Sequence, residues 1–215
     1  MESSTDYGTL QDIKKIMERS SRFISLSGWS GVAAGLCALA GAWLASVRID
    51  QYLAELNTSG NGCLSCLKYD LILIAAIVFL AAFISATFFT YFKSKSDGVP
   101  IWGTTSKRLL WNTILPILAG GVFVLKLIQL EEYRLIASST LIFYGLALIN
   151  GSKYTRGEIR YLGYSELLIG FICLFAPGSG LIYWAVGFGF FHIIYGVIMW
   201  RTEKSSKAEL ENQRK

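Results

Sequence analysis

Between residues 160 and 200 the chain carries two apolar segments joined through the short link Pro177-Gly178-Ser179-Gly180. Each arm, residues 161–176 and 180–200, approaches the roughly 20 residues that cross a ~30 Å hydrocarbon core at ~1.5 Å per residue. So short a link can only fold the second arm back beside the first, and a helical hairpin within a bilayer is the expected form. Arg160 at one outer end, and Arg201 with Lys204 at the other, place positive charge on the same side.

The rest of the chain repeats this character. With 53% hydrophobic and 16% charged residues among 215, it has the composition of a membrane protein. Its hydrophilic stretches, 1–21, 48–68, 93–108 and the residues after 200, are each too short to bury a core of their own. We therefore expect an all-α membrane protein with six transmembrane helices arranged as three hairpins. The spans fall at about 23–47, 71–92, 109–130, 134–150, 161–176 and 180–200, between a leader at 1–21 and a basic tail at 201–215. The fourth is short, and must draw length from Tyr133, Arg134 and Asn150 or thin the bilayer locally. In the third, Pro116 has no N–H for the carbonyl of Asn112, so a kink with a freed acceptor is expected.

Orientation follows from the cations. Of the 20 Lys and Arg, 16 lie at the N-terminal segment, the loop at 93–108, the loop at 153–160 and the tail; Arg48, Lys68 and Arg134 lie opposite, and Lys126 within a span. Both termini are thus expected in the cytoplasm, with the chain a multi-pass protein of the cell's inner (plasma) membrane. The net charge of +5 has this topological cause, so no nucleic acid is expected as a partner. In the leader, Leu10, Ile13, Ile16 and Met17 fall at helical spacing behind a Thr9 cap, which fits either a surface helix on anionic headgroups or a solvated approach to the first span. Mixed charge and a full-length apolar run after it distinguish this leader from a secretory signal.

The odd spans share an ending: Arg22, Arg108 and Arg160 are each followed five residues on by a hydroxyl, at Ser27, Thr113 and Ser165. The fourth and sixth share Tyr144-Gly145 and Tyr195-Gly196, each with a Lys nine residues after the Tyr. Three related hairpins would produce this pattern. Gly170, the Pro177 seven residues on, and the later Tyr195-Gly196 resemble the repeat of the six-span acid-resistance membrane protein family. The resemblance covers the last hairpin only. It implies a compact three-hairpin bundle with a stress role; the earlier hairpins lack that Pro at their first turn and carry a long loop there. As a whole the chain resembles small bacterial integral membrane proteins of no assigned function.

Polar groups within the spans are the first candidates for chemistry, because charge in hydrocarbon is costly. Lys126, five residues from Glu131, can snorkel to the interface. Glu166 and His192 lie six and nine residues in from Arg160 and Arg201, roughly 9 and 13 Å at ~1.5 Å per residue, on adjacent arms of one hairpin. At matching depth they could share a proton, with Asn112, Ser27, Thr113 and Ser165 adding hydrogen bonds at the same level; the alternative is a carboxylate reaching the interface and a histidine bonded in a packed core. Gly31 and Gly35 form a Gly-x-x-x-Gly, suited to close helix packing within the chain or between two copies. Cys63 and Cys66 sit in the outer loop, where an oxidising compartment favours a disulfide over free thiols or a redox pair. Cys37 and Cys173 lie in spans and His192 is the one histidine, so no metal site is expected.

Among the motifs there is no nucleotide loop and no nucleophile–base–orienter set, so neither a cofactor nor an enzyme is expected. The leading expectation is a non-enzymatic accessory, assembly or stress-related protein, with the lipid bilayer and a membrane-protein partner or second copy as its contacts. The alternatives are a small-solute or proton-coupled transporter using Glu166 and His192, and a membrane thiol oxidoreductase using Cys63 and Cys66.

Overall fold

The computed structural model describes residues 27–96, 103–155, 157–176 and 178–212, which contain helices and no strand. The elements are α1 (Gly28–Ser59), α2 (Leu64–Ser96), α3 (Thr104–Gln129), a 3-10 turn (Tyr133–Leu135), α4 (Ile136–Gly151), α5 (Ile159–Phe175), α6 (Gly180–Trp184), a π-helix (Ala185–Phe191) and α7 (His192–Asn212). The expected surface helix in the leader, the Arg22 ending, the turn at 97–102 and Pro177 lie outside the described residues.

Among the described residues, five stretches are long and apolar enough to cross a bilayer: Gly28–Ser59, Leu64–Ser96, Thr105–Gln129, Tyr133–Gly151 and Gly180–Ser205. α5, at 17 residues, is about 26 Å long at ~1.5 Å per residue and falls short of them. The long outer loop expected at 48–68 is a correction. α1 continues helical through Arg48 to Ser59, where Gly60 ends it in the left-handed region with φ 70°, and α2 begins at Leu64. Polar side chains end an apolar span but not a helix, and residues 48–59 contain neither Gly nor Pro to stop the ladder. The fourth span gains its length from the 3-10 turn that begins at Tyr133.

Small residues set the packing. The buried positions of α1 are Gly28, Ser30, Gly35, Ala38, Gly41, Ala42 and Ala45, so a backbone can lie close against them. One side of α1 meets α2, where Gly41 faces Val78, and the other meets the π-helix and α7. A Cβ on Gly31 would lie 3.2 Å from both Gly196 Cα and His192 O, and one on Gly35 would lie 2.6 Å from Gly189 O. The Gly-x-x-x-Gly therefore serves packing within the chain. α4 makes a second crossing of the same kind with α5, where a Cβ on Gly145 would be 2.8 Å from Gly163 O. The Tyr-Gly pairs of the fourth and sixth spans thus both mark close helix crossings.

α3 packs on α4, and the freed acceptor has a partner. Asn150 Nδ2 donates to Asn112 O at 2.8 Å, filling the carbonyl that Pro116 cannot reach. At the margins, Arg48 pairs with Asp70 between α1 and α2, and Lys68 donates to Glu131 at 2.9 Å while lying 4.9 Å over the Tyr133 ring. The Lys68 hydrogen bond holds the Glu131 carboxyl below its ordinary value; both groups face solvent, so the pair adds little stability. Lys93 and Glu203 pair at 3.5 Å and tie the other end of α2 to α7.

Candidate functional site: a buried Glu–His–Tyr triad

α5, α4 and the π-helix with α7 converge on Glu166 and His192. Glu166 is fully buried and His192 is 6% exposed. The sequence spreads Glu166 and Gly170 along one face of α5, and α5 packs against the π-helix, so the carboxyl enters the helix junction. Glycine makes room for it: a Cβ on Gly187 would come within 2.5 Å of Glu166 Oε2, and Leu141 closes in from α4. With Gly187 and Gly189 in a run of seven residues, the backbone widens to π geometry, a form often found where helices carry function.

His192 follows the π-helix directly. Its Nδ1 lies 3.1 Å from Gly187 O and 3.3 Å from Glu166 Oε1, and its Nε2 lies 2.9 Å from Tyr144 Oη. A carbonyl oxygen only accepts, so the contact with Gly187 assigns a hydrogen to Nδ1. Nε2 then has two states. In a neutral ring it accepts from the Tyr144 hydroxyl, and in an imidazolium it donates to the Tyr144 oxygen. Phe188 stacks on the imidazole at 6.0 Å between centroids and packs against both Tyr144 and Trp184 at 5.0 Å, so aromatic rings border the triad.

The two oxygens of Glu166 have no hydrogen-bond partner among the described residues, leaving His192 as the charge beside them. Buried polar atoms are otherwise satisfied as a rule, and an ionised carboxylate in a core is stable only against a compensating charge. A buried pair of this kind can be net neutral in two ways: carboxylate with imidazolium, or carboxylic acid with neutral imidazole. The two differ in where one proton resides, on Nε2 of His192 or on the Glu166 carboxyl. No protein-family model, curated protein or solved structure matches the chain.

The other polar residues expected at this level bond elsewhere. Asn112 donates to Arg108 O at 2.8 Å and receives Asn150, which keeps it at the α3–α4 contact. Thr113 and Ser165 donate back to Leu109 O and Tyr161 O within their own helices, and the main-chain carbonyl of Ser27, just before α1, accepts from Ser30 Oγ. Short hydroxyl side chains in helices find the carbonyl one turn back before they find another helix. Lys126 is exposed near the end of α3. Tyr144 and Gly187 were not among the expected site residues. Tyr144 carried a signal as half of a repeated Tyr-Gly pair, whereas Gly187 is one of several glycines in its helix.

Cys63, just before α2, and Cys66, in its first turn, are joined in a disulfide, and Cys37 and Cys173 are free. Among the described residues no group of three His, Cys, Asp or Glu could hold a metal ion.

Proposed function

We propose that this chain is a six-span integral membrane protein, with both termini cytoplasmic, that couples movement of a small solute to protonation of the Glu166–His192–Tyr144 triad. One observation carries the reading: a fully buried carboxyl whose oxygens have no hydrogen-bond partner among the described residues and which faces an imidazole at 3.3 Å. A carboxylate kept only for packing would be expected among donors that fill its lone pairs. Intramembrane ionisable pairs are typical of proton-linked pathways. In this reading α5 is the fifth of the six spans, accommodated by local thinning of the bilayer. The Lys and Arg distribution supports the orientation.

Tyr144 gives the triad a readout. When the imidazole gains its second proton, Nε2 changes from acceptor to donor and the Tyr144 hydroxyl must turn. That reorientation acts on α4, which packs against α3, α5 and α6, so a proton at His192 bears on the helix arrangement. The accessory or assembly role draws on a different observation. No residue in the most apolar stretch of α2 is fully buried, so beyond its contact with α1 this long helix is free to meet lipid or another membrane protein.

The test uses proteoliposomes with an internal pH dye, an imposed pH gradient and a panel of weak acids, amines and sugars. Impermeant labelling of Ser205→Cys sorts the inserted chains by direction. We expect at least one solute class to move protons with it, and Glu166→Gln and His192→Gln to lower that flux tenfold or more while insertion is unchanged. Wild-type flux in Glu166→Gln, or no solute-linked proton movement across the panel, sinks the proposal.

A further inference from the structure

The link between α1 and α2 carries chemistry that the buried triad does not use. Cys63 caps α2. Its carbonyl accepts from Leu67 N–H at 3.1 Å, and its Sγ lies 3.2 Å from the Cys66 N–H, which donates to it. Ser65 Oγ is 3.5 Å from the same sulfur, and both cysteines are exposed. The disulfide spans three positions within the first helical turn, so it fastens together residues that the helix already holds. Other contacts join the two helices: Arg48 with Asp70, Gly41 against Val78, and the Tyr52 ring against Gly62. Stabilisation by a crosslink grows with the loop it closes, and this loop is near the shortest possible. A structural staple would be placed elsewhere.

What the position does supply is stabilisation of a thiolate. A sulfur at a helix N-terminus that accepts a backbone N–H and lies beside a hydroxyl is held in positive potential, and α2 is 33 residues long. The charged side chains on the early turns of α2 are engaged in ion pairs, Lys68 with Glu131 and Asp70 with Arg48.

We propose that Cys63–Cys66 is an exchangeable disulfide that oxidises the dithiol of a substrate, with Cys63 as the leaving thiolate. One substrate thiolate attacks Cys66 Sγ, a new sulfur–sulfur bond forms there, and the Cys63–Cys66 bond breaks with its electron pair going to Cys63. The second substrate thiolate then attacks the substrate sulfur of the mixed disulfide and expels Cys66, which takes a proton from solvent. The substrate dithiol is oxidised to a disulfide by two electrons, and the Cys63–Cys66 pair is reduced by the same two. A different disulfide, running the same steps backward, restores the pair.

The experiment measures alkylation of the full-length protein in detergent by iodoacetamide against pH. We expect Cys63 in Cys66→Ser to titrate between about 3.5 and 7.5, below the ~8.5 of a free thiol, and to react at least tenfold faster at pH 6.5 than Cys66 does in Cys63→Ser. Should either variant fail to fold, the reduced wild-type chain with alkylation mapped to each cysteine gives the same comparison. In parallel, the native wild-type protein equilibrated with excess reduced glutathione is expected to open the pair. Titration of Cys63 at or above the ordinary thiol value overturns the proposal, and so does a pair that stays closed against glutathione until the protein is denatured.

Discussion

Replacing His192 with Ala is expected to cost about 3–5 kcal/mol, read as a large fall in the thermal midpoint of the purified protein in detergent. The cost comes from what is left behind. Glu166 is fully buried, its oxygens have no hydrogen-bond partner among the described residues, and without the imidazole at 3.3 Å a charge there has no compensation among them. Tyr144 loses its partner as well, since its hydroxyl meets Nε2 at 2.9 Å. Removing the carboxyl at the same time should recover much of the loss, because an apolar residue of similar size at 166 leaves no unpaired charge. The double variant Glu166→Leu with His192→Ala is therefore expected to melt above His192→Ala alone. If the two losses simply add, the residues do not act as a pair.

Gly196→Leu should be strongly damaging outside the triad, at about 3 kcal/mol or beyond, the upper part of the range for overpacking. Its Cβ would lie 2.5 Å from Gly28 O and 2.7 Å from Val32 N, and main-chain atoms cannot turn aside as a side chain can. Accommodation requires α1 and α7 to separate, which opens the contact that the Trp29 and Trp200 rings border at 6.1 Å. Gly121→Leu is the matched control. A Cβ there meets nothing within 4 Å, so a shift within about 0.5 kcal/mol is expected from the same detergent melt. Equal losses at the two positions would mean that glycine matters for backbone freedom and not for close approach.

Some of this was readable from residues and some was not, for physical reasons. The helices and their approximate centres follow from apolar length alone. Helix ends do not, because the hydropathy of 48–59 records where the apolar surface stops and says little about a backbone whose hydrogen bonds are internal. Pro116 announced the freed Asn112 carbonyl, yet the donor that fills it, Asn150, is 38 residues away and depends on how α3 and α4 are rotated. The same limit applies to the triad. Counting residues places Glu166 and His192 at matching depth, while their facing, and the entry of Tyr144 from a third helix, depend on the α4–α5 and α5–π contacts. The π-helix shifts the register of everything after it, and a simple 3.6-residue count across Ala185–Phe191 misplaces the face of His192.

If Glu166 exchanges a proton with its surroundings, infrared difference titration of the protein in lipid vesicles will show it as a carboxyl carbonyl band that appears and disappears with pH, insensitive to surface carboxyls, absent in Glu166→Gln and displaced in its titration by His192→Gln. A spectrum in which no band assigned to Glu166 changes over the pH range where the protein stays folded would contradict it, and would leave the pair as a fixed element of packing.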